Sequence, residues 1–73
     1  MSGARIRVEL IKEGKEIRVR ANRGGFKYLA EVCTYLAQSD YDDRRVPHYH
    51  VEEAMYSAEP GSLPMELYLT PNP

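Results

Sequence analysis

The sequence predicts an α+β domain with a two-layer ββαββ fold, in which one helix packs on one face of a four-stranded, mostly antiparallel sheet. Two observations support this prediction. Only residues 22–38 show the periodicity of a helix, whereas four short segments alternate apolar and polar residues as half-buried strands do. The order strand, strand, helix, strand, strand is typical of a helix layer that covers a sheet layer.

Size and charge restrict the classes of function. The chain has 73 residues, 42% hydrophobic and 29% charged, which favours one folded domain over residues 1–73. A domain this small buries only about 60% of the surface of its unfolded chain, so it has no room for a large enclosed active site. Ten basic and eleven acidic residues leave a net charge of -1, which gives no general attraction to nucleic acid or anionic lipid.

The single cysteine and the amino-terminal segment bear on the expected location of the protein. One cysteine cannot form an internal disulfide, and it cannot build a cysteine-based metal site. The first ten residues, MSGARIRVEL, contain no apolar run long enough for a signal peptide or a membrane span. We therefore expect a soluble, cytoplasmic protein without a membrane partner.

Residues 4–21 predict a β-hairpin. The two strands flank Glu13-Gly14, which has the form of a two-residue loop because glycine supplies the positive φ of a primed turn. The register set by this loop makes every pair on one face apolar: Ile6 with Ala21, Val8 with Val19, and Leu10 with Ile17. The same register places Arg7 opposite Arg20, which is unfavourable unless an anion such as Glu9 lies between them.

The helix is predicted over residues 22–38, with Asn22 as its N-cap. Gly24 and Gly25 weaken the first turn, and we expect them to let the backbone pass close to the sheet. The apolar arc covers well over half of the helix circumference, and most of it is expected to cover the core.

Two tyrosines of this arc are candidates for a function, whereas its cysteine is not. Cys33 lies in its middle, where we expect a buried thiol that packs as a small hydrophobe and does not react. Tyr28 and Tyr35 lie one heptad apart at the edge of the arc. We expect this edge to contact a partner.

The second half of the chain predicts a loop and two more strands. Residues 39–47 form a charged, solvated loop in which Tyr41 is a candidate contact residue. Its aspartates lack the glycine and the closing glutamate of a calcium-binding EF-hand loop. Strands are predicted at residues 48–52 and 65–70, with a type II turn at Pro60-Gly61 between them.

His48 and His50 share one face of the third strand, because side chains alternate along a strand. Both can reach one zinc or nickel ion, with Glu52, Glu66 or a neighbouring chain supplying a third ligand, but no spacing in the sequence demands such a site. We therefore predict no cofactor, and a small metal-binding protein remains an alternative. The spacing places no serine or cysteine beside either histidine, so the sequence predicts no enzyme.

The sheet face opposite the helix is expected to be open. It would carry the arginines of the first hairpin and the polar residues of the second, and arginine and tyrosine are enriched where proteins meet. The predicted contact residues on this face, the helix edge and the loop are Arg5, Arg7, Arg18, Arg20, Tyr28, Tyr35, Tyr41, His48, His50 and Tyr68.

Short motifs give the chain a resemblance to a known family. In order they are Arg23-x-Gly25-Phe26, Leu29-Ala30-Glu31, His48-x-His50-Val51 and Gly61-Ser62. Together with the apolar amino-terminal hairpin, they resemble the immunity proteins of bacterial polymorphic toxin systems, in particular immunity protein family thirty-two. The resemblance covers most of the chain from Arg5 to Leu69. The chain departs from the family in its charged loop at residues 40–45 and in Pro64.

The resemblance implies a non-enzymatic protein that binds a cognate toxin and so protects the producing cell. It implies no catalytic residue. The leading hypothesis is therefore a module that binds a protein partner, and a homodimer through the sheet or the helix edge is compatible with the wide apolar arc. A third hypothesis is nucleic-acid binding through the arginine-rich sheet face, which the net charge disfavours.

Overall fold

The computed structural model describes residues 3–52 and 58–71, which contain one helix and two antiparallel, two-stranded sheets. The elements in chain order are β1 (Ile6–Ile11), β2 (Glu16–Ala21), α1 (Arg23–Gln38), β3 (His48–Val51) and β4 (Met65–Tyr68). The predicted α+β class and the predicted order of elements are confirmed. Within the described ranges, no helix combines the length and the apolar character that a membrane crossing requires.

β1 and β2 pair in the register predicted from the sequence, apolar pair for apolar pair. The predicted two-residue loop is wrong, because the strands end at Ile11 and Glu16 and four residues lie between them. Lys12, Glu13 and Gly14 all have positive φ angles, of 53°, 59° and 83°. The N–H of Gly14 donates to the carbonyl oxygen of Ile11 at 3.1 Å.

α1 begins at the base of this hairpin, because Asn22 alone links β2 to the helix. The Oδ1 of Asn22 accepts from the N–H of Gly25 at 2.7 Å and from the N–H of Arg5 at 3.0 Å. Its Nδ2 donates to the carbonyl oxygen of Gly3 at 2.6 Å. A Cβ on Gly25 would clash with the Arg5 carbonyl and crowd Ala21. The close approach of backbone to sheet predicted from the glycines is therefore confirmed at Gly25.

A single four-stranded sheet is not shown. β3 pairs with β4 alone among the described residues, and the free edge of β1 is occupied by residues 58–63. The N–H of Glu59 donates to the Ile6 carbonyl at 2.9 Å, and the N–H of Leu63 donates to the Val8 carbonyl at 2.8 Å. Residues 58–63, and not a third strand, thus satisfy the hydrogen-bonding groups on this edge of β1.

A turn keeps residues 58–63 from continuing as a strand. The N–H of Ser62 donates to the Glu59 carbonyl at 3.0 Å, and Gly61 has a φ of 86°. With Pro60 in the second position, this is the type II turn predicted from the sequence. The buried hydroxyl of Ser62 accepts from the N–H of Val8 at 2.9 Å. A side-chain oxygen thus takes the place of the backbone carbonyl that would accept this hydrogen bond in a regular sheet.

The core lies where β1, the helix, β3 and residues 58–63 meet. Its buried residues are Ile6, Val8, Val51 and Ala58. The half-buried residues packed against it are Ala21, Tyr28, Leu29, Tyr49 and Met65. The helix itself buries Gly25, Val32 and Leu36, one narrow stripe of its apolar arc.

The expectation that the helix covers the whole apolar face of the hairpin is wrong. Leu10 and Ile17 are 55% and 65% exposed, and Val19 is 37% exposed. The one-residue link holds the start of the helix at the hairpin base, so the distal half of the hairpin extends beyond the core. The expectation for Cys33 is also wrong, since this residue is exposed outside the narrow buried stripe.

Candidate protein-binding surface

The predicted contact residues fall into separate groups, because the two hairpins form separate sheets. The continuous face of arginines and histidines predicted from a four-stranded sheet is not shown. The four arginines belong to the first hairpin and its entrance, whereas His48, His50 and Tyr68 belong to the β3–β4 hairpin. Tyr28 and Tyr35 lie on α1, and Tyr41 lies in the loop that follows.

Three arginines of the first hairpin converge on one glutamate, and we call Arg7, Arg18, Arg20 and Glu9 the arginine cluster. The Nε of Arg7 lies 3.1 Å from Glu9 Oε1. The Nη1 atoms of Arg18 and Arg20 each lie 3.6 Å from Glu9 Oε2. Glu9 therefore takes the bridging position that the sequence requires between the opposed Arg7 and Arg20.

The charges of the cluster are only partly balanced. Partial burial of Glu9 opposes its ionisation, but hydrogen bonds from Arg7 and Arg20 and their charges outweigh burial and hold the pKa of Glu9 below its ordinary value of 4.5. Arg7 also lies 4.0 Å from Glu59 and donates to the carbonyl oxygen of Pro60 at 2.9 Å. Two carboxylates thus face three guanidinium groups, and the positive charge is in excess.

A shallow cleft extends this positive surface towards the start of β1. Its lining residues are Arg5, Arg7, Arg20, Ala21, Asn22 and Glu59. Arg5 is exposed and adds a fourth guanidinium group beside the cluster. The guanidinium groups present several N–H donors in a fixed geometry that suits carboxylates.

The other face of the same hairpin is apolar and open, and we call Leu10, Ile17 and Val19 the distal apolar patch. The three residues are neighbours, since Leu10 pairs with Ile17 across the strands and Val19 is two positions along β2 on the same face. β2 is exposed at each residue from Glu16 to Arg20. Its outer edge has no strand partner in the part of the chain that the structure describes.

The helix carries a second exposed apolar flank beside its buried stripe. Phe26 is 51% exposed, and Ala30, Cys33 and Ala37 follow it at helical spacing with exposed side chains. Tyr28 projects from the opposite flank towards β3. The expectation that the apolar arc outside its tyrosine edge covers the core is therefore wrong for Phe26, Ala30 and Ala37, as it is for Cys33. The width of an apolar arc does not show how much of it a small sheet covers.

The tyrosines differ in how much surface they offer. The hydroxyl of Tyr28 donates to that of Tyr49 at 2.6 Å, with the rings edge to face at 5.9 Å, so this residue ties α1 to β3. Tyr35 and Tyr41 are 58% and 41% exposed. The exposed ring of Tyr68 lies 6.1 Å from that of His48.

The β3–β4 hairpin brings His48 and His50 to Glu66. One candidate ligand atom from each of these three exposed residues lies within 4.8 Å of the other two. All three residues were candidate ligands in the sequence, but the sequence did not decide between Glu52 and Glu66 as the third ligand. The pairing of β3 with β4 decides this point, because it places His50 directly opposite Glu66.

The distal apolar patch is the part of the surface that sequence reasoning missed. Its residues belong to the apolar face of the hairpin, where apolar and polar side chains alternate along each strand. This alternation does not show which part of the apolar face is covered by the helix. The signal in the sequence is the single residue between the second strand and the helix, which fixes the helix to one end of the hairpin. Comparison of the chain with protein-family models, curated proteins and solved structures finds no match. The resemblance to immunity protein family thirty-two therefore stays a prediction.

Proposed function

We propose that this chain is a non-enzymatic protein-binding module that contacts its protein partner through the first hairpin. In the setting that the resemblance implies, the partner is a toxin and binding protects the cell that makes it. The proposal is supported by the described surface of β1 and β2, which offers an apolar contact area on one face and guanidinium groups on the other.

The distal apolar patch carries the proposal. Three aliphatic side chains exposed side by side lose contact with water when a second protein covers them, and this burial favours association.

The arginine cluster indicates the charge of the partner. Glu9 and Glu59 leave positive charge uncompensated around the cleft, and the exposed Arg5 increases it. A partner with carboxylates at the rim of its contact surface would complement this face, which raises the rate of association and selects against basic partners. A projecting hairpin with one apolar and one basic face suits a cleft in the partner that has an apolar wall and an acidic wall.

The experiment compares three versions of the full chain as bait in a lysate of the source cell. The versions are the natural sequence, the double variant Leu10→Ser/Ile17→Ser, and Tyr35→Ser as a control with a similar exposed fraction on the helix. We expect one protein to be retained by the natural sequence and by Tyr35→Ser, and to be lost with the hairpin variant. Circular dichroism and thermal melting verify that all three chains are folded.

The second arm measures protection in living cells. Growth is followed while the protein encoded by the neighbouring gene is expressed with each version of the chain. Protection by the natural sequence and by Tyr35→Ser, but not by the hairpin variant, is the expected result. A bait that retains no protein and a chain that gives no protection would contradict the proposal, as would retention of only a second copy of this chain or of nucleic acid.

A further inference from the structure

We propose that His48, His50 and Glu66 form a zinc-binding site on the outer face of the β3–β4 hairpin. This site is separate from the first hairpin and does not depend on the protein-binding function. Two imidazoles and one carboxylate are a ligand set found in zinc sites that keep a fourth position for water.

The strand register builds the site. His48 and His50 are two residues apart on β3 and project from the same face, while Tyr49 and Val51 between and after them face the core. β4 places Glu66 directly opposite His50. All three ligands therefore stand on paired strands rather than on a loop, and the backbone limits how far they can separate.

The distances come close to those of a zinc complex. The Nε2 of His50 lies 3.5 Å from Glu66 Oε2. Zinc bonds of about 2.0–2.1 Å in a tetrahedron place neighbouring ligand atoms about 3.3 Å apart, so this pair is already at the spacing that zinc needs. The candidate ligand atom of His48 lies within 4.8 Å of both others. The ring of His48 is exposed, so no packing opposes the change in side-chain torsion that would bring this atom closer.

Two contacts outside the ligand set orient the imidazoles. The Nδ1 of His48 lies 2.8 Å from the carbonyl oxygen of Val46. Because a carbonyl oxygen only accepts, Nδ1 carries the hydrogen and Nε2 of the neutral ring keeps the lone pair that a metal binds. The Nδ1 of His50 lies 3.5 Å from Glu52 Oε2, so Nε2 again faces the ligand position. Metal-binding histidines commonly donate their other ring nitrogen to a carbonyl or a carboxylate in this way.

Charge and ligand type favour zinc over harder cations. Glu66 and the neighbouring Glu52 together balance the two positive charges of the ion. Imidazole nitrogen is a good ligand for zinc, whereas calcium and magnesium prefer oxygen ligands alone. Water fills the fourth position in the isolated chain.

Isothermal titration of zinc chloride into the tag-free, full-length chain tests the proposal. We expect one zinc ion per chain for the natural sequence and a loss of affinity of at least tenfold in His50→Ala and in Glu66→Gln. Glu52→Gln is expected to lower the affinity by up to about tenfold, because it replaces the charged acceptor beside Nδ1 of His50 with a weaker, neutral one without removing a ligand. Glu31→Gln, an exposed acid on the helix, is the matched control and should bind as the natural sequence does.

A spectrum with cobalt adds a readout of the ligands themselves. Cobalt bound at the site should give the visible absorption of a four-coordinate ion, and this absorption should disappear in His50→Ala. Zinc binding that is undetectable in the natural sequence would overturn the proposal. Unchanged affinity in both ligand variants would do the same. Where His50→Ala does not fold, the titration of Glu66→Gln decides.

Discussion

At the scale of the residue, a few polar groups and one glycine fix how the pieces of this small domain meet. The side chain of Asn22 accepts hydrogen bonds both from the first turn of the helix and from the residue before β1. Gly25 allows the helix to touch the carbonyl oxygen of Arg5. Ser62 supplies the acceptor that the N–H of Val8 requires in the core. Each of these residues connects segments that are distant in the sequence.

The two adjacent glycines of α1 provide a test of close packing. Gly25→Ala should destabilise the protein by about 1–3 kcal/mol, because the added Cβ clashes with backbone that cannot move freely. Gly24→Ala places its Cβ at an ordinary contact distance of 3.4 Å from the Gly3 carbonyl oxygen, and it should stabilise by up to about 1 kcal/mol through helix propensity. Urea denaturation of both variants measures the difference. Equal stabilities would contradict the packing described for Gly25.

The buried hydroxyl of Ser62 provides a second test. Ser62→Ala leaves the N–H of Val8 without its acceptor and should lower the free energy of unfolding by about 1–3 kcal/mol. Ser39→Ala is the control, because its hydroxyl bonds to the Tyr35 carbonyl in an exposed position, and its effect should stay within about 0.5 kcal/mol. Faster exchange of the Val8 amide hydrogen in Ser62→Ala would show that the hydrogen bond from this N–H to Ser62 was lost. An unchanged free energy of unfolding in Ser62→Ala would refute the stabilising role of this hydroxyl.

At the scale of the element, the first hairpin was the most predictable part of the fold. The alternation of apolar and polar residues, with the loop centred on Glu13-Gly14, specifies its register. Only one pairing of the two strands places apolar residues opposite apolar residues, and the structure has that pairing. The bounds of the helix also agree with the sequence, because Asn22 is a strong N-cap. The reach of the helix over the sheet was not predictable from periodicity, which describes one element and not the placement of its neighbours.

The arginine cluster predicts how the stability of this hairpin depends on pH. The pKa of Glu9 is lower in the folded chain than its ordinary value of 4.5, so its charged form stabilises the fold at pH values above 4.5. That contribution is lost as the pH falls below 4.5 and passes through the lowered pKa. Denaturation curves at several pH values should show a steeper acid loss of stability in the natural sequence than in Glu9→Gln. Parallel acid profiles would show that Glu9 gains nothing from its three arginines.

At the scale of the whole molecule, the chain forms two small sheets around a shared core. Periodicity identified the four strands correctly, but the partner of each edge depends on contacts across the chain. The edge of β1 is taken by residues 58–63, whose type II turn was predicted while its place beside β1 was not. The predicted sheet face consequently divides into an arginine surface on one hairpin and a histidine-glutamate surface on the other. The sequence alone predicted the residues of both surfaces, but it did not predict that the two surfaces lie on separate sheets.

We propose independent roles for the two hairpins, which lie in separate sheets. The first hairpin offers aliphatic and guanidinium groups to a protein, and the second offers three ligands to a zinc ion. Loss of zinc ligands should therefore leave protein binding unchanged. Capture experiments with Glu66→Gln as bait measure this separation. Loss of the partner in that variant would mean that the two hairpins form one contact surface.

The most direct measurement is the affinity of the purified partner for the natural chain, for Leu10→Ser/Ile17→Ser and for Tyr35→Ser. Truncating central interface residues costs about 2 kcal/mol or more, so the hairpin variant should bind roughly 30-fold more weakly or worse. Tyr35→Ser should stay within about twofold of the natural chain, because Tyr35 lies on the helix and outside the hairpin that we propose as the interface. Full affinity in the hairpin variant, with loss in Tyr35→Ser, would contradict the account and place the interface on the helix.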